Sequence, residues 1–229
     1  MRKKERVILL VVFAFCVVCC WKGQDWMATL ANVQEKKEWR VVVDAGHGGT
    51  DPGKIGVNQV LEKDINLQIA KRVKALLEQN DVKVVMVRED DRGLYDENAS
   101  NKKVQDMKRR MEVIQKSDAV LAVSIHQNSY QEAYVCGPQV FYYTTSKKGK
   151  QAALLMQNQL FEGLEQEKKR EAKANDSYYL LKKSTIPTII VECGFLSNYD
   201  EAEKLKTAEY QERVAFQITM GILKYLNQG

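Results

Sequence analysis

The sequence is short of most of the residues that would mark a specialised chain. Three prolines and 13 glycines in 229 residues are too few for a collagen-like polymer or a Pro/Gly-rich disordered segment. Cysteine is scarce and lopsided. Of five, Cys16, Cys19 and Cys20 crowd near the N-terminus, and only Cys136 and Cys193 remain for the rest. That excludes a disulfide-stapled miniprotein and leaves room for one Cys136–Cys193 bridge, which sequence alone cannot decide. Uninterrupted apolar stretches are lacking apart from Val7 to Trp21, which excludes a polytopic membrane protein. A charge excess is also missing from most of the chain. Of 35 Lys+Arg and 30 Asp+Glu, the first 31 residues hold five basic (Arg2, Lys3, Lys4, Arg6, Lys22) and two acidic (Glu5, Asp25), leaving 30 against 28. With no basic stripe interleaved with aromatics, a nucleic-acid groove is not supported. What remains is enough chain for one domain with a sizeable core.

Arg2, Lys3, Lys4 and Arg6 precede the apolar run 7–21, and Lys22 closes it. A positive flank before a short apolar stretch reads as an export signal, or as a signal anchor through which residues 7–21 associate with a membrane. Fifteen helical residues rise roughly 22 Å against ~30 Å of hydrocarbon, which favours cleavage, and Thr29-Leu30-Ala31 supplies small residues for it. The residues before Cys16, Cys19 and Cys20 are Phe15, Val18 and Cys19, none of them suited to lipoprotein processing. The expected organisation is therefore residues 1–31 as signal peptide or short anchor, 32–39 as linker and 40–229 as an extracytoplasmic working domain.

Within that domain the apolar patterning alternates between strand and helix. Val41-Val42-Val43 reads as a buried strand running into the glycine-rich loop Asp44-Ala45-Gly46-His47-Gly48-Gly49. Ile65, Ile69, Ala70, Val73, Leu76 and Leu77 recur at helical spacing, predicting a helix from Glu62 to about Gln79. Further strands are expected at 82–87, 119–125, 139–143 and 186–191, and helices at 102–116, 152–164, near 200–206 and at 208–226. Glu165 to Asp176 has no apolar stripe and reads as a solvated helix end or loop. The alternation predicts a single α/β domain with a mostly parallel twisted sheet flanked by helices.

The chain has two histidines, His47 and His126, and each directly follows an apolar strand. In open α/β sheets the carboxyl ends of the strands are where loops meet ligand. Two carboxylates hold matching positions, Glu62 at a helix start and Glu192 at the end of Ile-Ile-Val. A glutamate there is costly to bury unless it is paired, bonded or near a metal. Two imidazoles and a carboxylate with an open fourth position are the makings of a catalytic zinc site, and a second carboxylate would serve as proton carrier. The helical motif with two histidines four apart is absent, so ligands must come from separate strands and loops.

Val43-Asp44-Ala45-Gly46-His47-Gly48-Gly49 with Asp51-Pro52-Gly53, then Ser124-Ile125-His126-Gln127-Asn128-Ser129, then Val191-Glu192-Cys193-Gly194-Phe195-Leu196-Ser197-Asn198 occur in that order. Together they resemble the motifs of the zinc-dependent N-acetylmuramoyl-L-alanine amidases of bacterial cell walls, from about Arg40 to Leu226. The resemblance implies one Zn2+ held by His47, Glu62 and His126, at the carboxyl ends of the strands, with Glu192 as the catalytic carboxylate. It implies peptidoglycan as substrate and leaves open an accessory or activating protein. The wording of the second and third motifs is similar to the spore-cortex, germination-related branch, in which peptide removal from muramic acid precedes formation of muramic δ-lactam. Asn128 is expected to orient substrate or, alternatively, to make a local Asx turn. Lys182 or Lys183 stands where relatives often carry arginine and could draw peptide carboxylates. Tyr130, Tyr134 and Tyr178 are expected along a sugar-binding groove, or as loop packing. The competing readings are another zinc peptidase or deacetylase of the wall, and a wall-binding protein without turnover.

Overall fold

The computed structural model describes Lys4, Phe13 and residues 38–228. The expected export or anchor segment and most of the expected linker lie outside the described residues. The chain divides into two units, Met1–Lys37 and Glu38–Gly229, and the second carries the α/β sheet.

In chain order the strands are β1 (Arg40–Ala45), β2 (Lys83–Met86), β3 (Leu121–Asn128), β4 (Gln139–Tyr143), β5 (Lys173–Asn175) and β6 (Thr188–Phe195). The helices are α1 (Glu62–Gln79), α2 (Lys102–Gln115), α3 (Lys147–Gly163), α4 (Tyr179–Lys183), α5 (Tyr199–Lys206) and α6 (Ala208–Leu226). The sheet order is β2-β1-β3-β6-β4-β5. β2, β1, β3 and β6 run parallel, and β4 joins β6 antiparallel with β5 parallel beside it. The architecture is the mostly parallel α/β sheet that the patterning predicts.

The central strands are covered on both faces, so their residues alternate between two cores rather than between core and water. Val41, Val43, Leu121, Val123 and Ile125 face a core shared with Ile69, Val73 and Leu77 of α1 and with α3, α5 and α6. Val42 and Ala122 point the other way, to Met111 and Ile114 of α2 and Leu180 of α4. This two-sided cover makes the runs read as continuously apolar.

Three expectations need correction, and one open question is answered. The stretch 165–176 contains β5, whose three residues pair with Phe141, Tyr142 and Tyr143 through the backbone; two of its side chains are exposed, so no apolar alternation announces it. α3 begins at Lys147, five residues before the apolar stripe, because the Ser146 side chain caps it by accepting from Gly149 N. β3 and β6 extend past the apolar runs, so His126, Asn128 and Glu192 lie within strands. Cys136 and Cys193 are both free, one exposed and one buried, and form no bridge. Among the described residues no helix is long and apolar enough to cross a membrane.

Candidate metal centre

Parallel pairing brings the ends of β1, β3 and β6 to one edge. Asp44 pairs with Ser124 and Ala45 with Ile125, while His126 pairs with Glu192. β1 ends at Ala45, and the turn beyond it places His47 with φ of 62°, followed by Gly48 and Gly49 at 135° and 59°. Only glycine adopts such a succession without strain, which is why two glycines follow the histidine. Glu62, the first residue of α1, points back under this turn and is buried.

His47, Glu62 and His126 each present a ligand atom within 4.8 Å of the others. Glu62 Oε1 lies 3.2 Å from His47 Nε2 and 2.9 Å from His126 Nδ1. It also accepts from Gln127 N at 3.1 Å and Asn66 Nδ2 at 3.3 Å, while Oε2 accepts from Lys54 N at 2.7 Å. Burial opposes the Glu62 charge, but the hydrogen bonds and charges of the His126 and His47 imidazoles outweigh it and hold the carboxyl well below its usual range. Burial likewise lowers His47, yet Glu62 and Asp51 carry it up to about 9. The same nitrogens and the same oxygen are what a divalent cation would take.

Glu192 has a different setting. It is 8% exposed, and its Oε2 is buried without a hydrogen-bond partner. Burial pushes its carboxyl up to about 7, with the imidazole of His126 opposing and the carboxylate of Glu62 adding to the rise. Two carboxyl groups thus sit in one site, one kept ionised and the other near neutrality, the division of labour that acid–base chemistry needs. Two imidazoles, a carboxylate and an orphaned buried oxygen beside them fit a three-ligand catalytic zinc site.

The group lines a cavity of about 720 Å³ together with Lys102 and Lys103 of α2 and with Tyr178 and Tyr179. Of the further residues singled out in the sequence, Tyr178 lines this cavity, whereas Asn128 and Lys182 do not. Asn128 Oδ1 accepts from Ser129 N at 2.8 Å, a local bond. Lys182 is exposed on α4. Tyr130 and Tyr134 are 57% and 80% exposed and lie outside the lining of this cavity.

Sequence reasoning missed the frame that holds the turn. Arg110 of α2 is 2% exposed; it donates to Asp44 Oδ1 at 2.6 Å, to the Ala45 carbonyl at 2.8 Å and to the His47 carbonyl. Arg88 donates to Ala45 O at 2.8 Å and Gly46 O at 3.1 Å. Asp51 was also passed over as part of the loop. Its only signal was its position four residues after His47.

Fold and cluster together define a class: an open-sheet α/β hydrolytic domain built around a His–Glu–His cluster suited to a divalent cation. Residues 41–224 match the family model described as N-acetylmuramoyl-L-alanine amidase, and the chain belongs to that family. It is 37% identical to the germination-specific N-acetylmuramoyl-L-alanine amidase of Bacillus subtilis, over 100% of this chain and 98% of that protein. The CwlD amidase of Clostridioides difficile, solved in complex with the GerS lipoprotein, superposes with a TM-score of 0.81 at 38% identity, covering 84% of this chain and 100% of that one. The amidase AmiC2 of Nostoc punctiforme superposes at 0.72 with 35% identity, covering 82% and 97%. The chain is a cell-wall amidase.

Proposed function

We propose that this amidase cuts the bond between the lactyl group of N-acetylmuramic acid and L-alanine in spore-cortex peptidoglycan, using one zinc ion held by His47, Glu62 and His126, with Glu192 as the catalytic carboxylate. The observation that carries it is the pairing of that cluster with a buried, unpartnered Glu192 Oε2 in the same cavity.

Zinc, when bound, supplies Lewis acidity toward water and the scissile carbonyl. The chain's own residues do the rest. Glu192, poised near neutrality, takes a proton from the attacking water and returns it to the departing alanine amine. Glu62 carries a full negative charge among hydrogen-bond donors and partly offsets the charge of a dication. Tyr178 on the cavity wall offers an aromatic face to a sugar ring.

The full-length likeness to a germination-specific amidase supports the spore-cortex assignment, in which exposing the lactyl group precedes δ-lactam formation. The same likeness supports an extracytoplasmic site of action. Residues 1–31 then serve as an export signal or membrane anchor, 32–39 as linker and 40–229 as the catalytic domain. An accessory protein is part of the proposal, since the similar CwlD amidase was solved with a lipoprotein partner.

The test is mass spectrometry of purified peptidoglycan digested by the zinc-loaded protein. Intact stem peptides beginning at L-alanine should appear, vanish with a chelator and return with added zinc. Cleavage within the peptide, release of acetate alone, or wall binding without soluble product would overturn the reading.

A further inference from the structure

The His47 turn is clamped at its backbone by Arg88 and Arg110, yet those bonds end on carbonyl oxygens. A ring on a residue at φ 62° still needs something to set which nitrogen carries the proton. That something is in the same loop. His47 Nδ1 lies 3.0 Å from Asp51 Oδ2, while the other carboxylate oxygen, Oδ1, accepts from Gly53 N at 3.1 Å. On the far side of the ring, Nε2 faces Glu62 Oε1 at 3.2 Å. The Asp51 side chain therefore grips the imidazole at one end and the loop backbone at the other.

We infer that Asp51 is a positioning residue that accepts the Nδ1 proton of His47 and so keeps the Nε2 lone pair aimed at the cation. This rests on the reading of His47 as a metal ligand. A carboxylate behind a metal-bound histidine fixes both tautomer and ring orientation, and its loss typically weakens metal binding roughly 10–100-fold.

The two-ended grip gives a sharp test. Asp51→Asn keeps the side chain's size and an oxygen for Gly53 N, but then turns its NH2 toward His47 Nδ1. An amide donor there selects the tautomer with the proton on Nε2, which removes the lone pair a metal needs. If the amide is flipped instead, Gly53 N loses its acceptor. One oxygen cannot serve both donors.

Zinc affinity of the full chain is measured by competition with a chromophoric chelator for wild type, Asp51→Asn, Asp51→Ala and His47→Ala, with melting midpoints of the metal-free forms. Wild type should take one zinc and His47→Ala should lose it. Asp51→Asn should bind zinc about 10–100-fold more weakly, at least as weakly as Asp51→Ala, with a cooperative metal-free melting transition that shows it folded. A purely structural role in the turn predicts the reverse order, with Asp51→Asn like wild type, and that result overturns the inference. So does wild-type affinity in both variants. If Asp51→Asn fails to fold, cobalt-loaded Asp51→Ala decides: its visible absorption must differ from wild type as the ring loses its orientation, and an unchanged spectrum overturns the inference. Wild-type zinc binding by His47→Ala would instead refute the ligand reading itself, whatever Asp51 does.

Discussion

His126 and Glu192 are register partners on the adjacent parallel strands β3 and β6, so an imidazole and a buried carboxylate stand side by side at the sheet edge. Their spacing is set by backbone pairing between two central strands rather than by a loop. A reacting pair built this way is held by the whole core. Glu192→Gln preserves shape and burial while removing the charge, so zinc content should stay at the wild-type level. Release of stem peptides should fall by roughly 10²–10⁴-fold, the size of a lost general base. Metal analysis of the purified variant together with product mass spectrometry checks it, and normal turnover would show that another group carries the proton.

The same residue should tax the stability of the metal-free protein, with a defined pH sign. Its carboxyl titrates near 7 when folded against an ordinary 4.5. Between those values the folded state binds more protons than the unfolded one, so stability drops as pH rises through the window. The loss is complete above the folded value and amounts to at most roughly 3 kcal/mol. Glu192→Gln lacks this titration. Urea unfolding of both metal-free proteins should give similar stabilities near pH 4, with the variant increasingly more stable toward pH 8. A constant difference across that range would contradict the titration.

The residues legible in the sequence share one property: each sits where a strong local pattern stops. His126 and Glu192 directly follow β-branched runs, His47 stands in the glycine-rich turn after Val41-Val42-Val43, and Glu62 opens a periodic helix, so a change of pattern marks them all. The residues that were not legible depend on partners far along the chain. Arg110 reads as one more charge in Lys108-Arg109-Arg110, and its burial is explained by Asp44 and the Ala45 and His47 carbonyls, more than 60 positions earlier, together with Asp106 one turn away. β5 escaped because backbone pairing at a sheet edge leaves no side-chain signature. α4, at five residues, spans barely more than one helical turn, too little for a repeated period to announce it.

The Arg110–Asp44 pair is 2% and 1% exposed in its side chains, with Ser124 Oγ donating to Asp44 Oδ2 at 2.6 Å. Removing one partner strands a buried charge, so Arg110→Met should cost about 3–5 kcal/mol in urea unfolding. Replacing both, as Arg110→Met with Asp44→Leu, should recover only part of that loss, because the Ala45 and His47 carbonyls and the Asp106 carboxylate still lose their donor. Burial alone would raise the Asp44 carboxyl, but the Arg110 charge and the Ser124 hydroxyl outweigh it and leave it below 3.8. Its contribution is therefore fully present above the unfolded value and fades as pH falls through the folded one. Asp44→Asn should accordingly show a shallower decline of stability below pH 4 than wild type. Equal slopes would mean that the pair does not govern the acid limb.

Gly46 links the sheet to the metal site through a contact rather than a bond. A Cβ built there would fall on the ring atoms Cε1, Nε2 and Nδ1 of His126. Its φ lies outside the left-handed region, so alanine is acceptable to the backbone and the whole cost is steric. Gly46→Ala must push the His126 imidazole aside, at an overpacking cost of about 1–3 kcal/mol. Zinc affinity should drop by about tenfold or more, the scale on which metal sites respond to disturbed ligand orientation. Gly163→Ala is the control. Its Cβ would meet only the far end of the Gln217 side chain, which can swing away, so zinc binding there should be unchanged. If Gly46→Ala held zinc as tightly as Gly163→Ala, the His126 ring would not be a ligand in the orientation described.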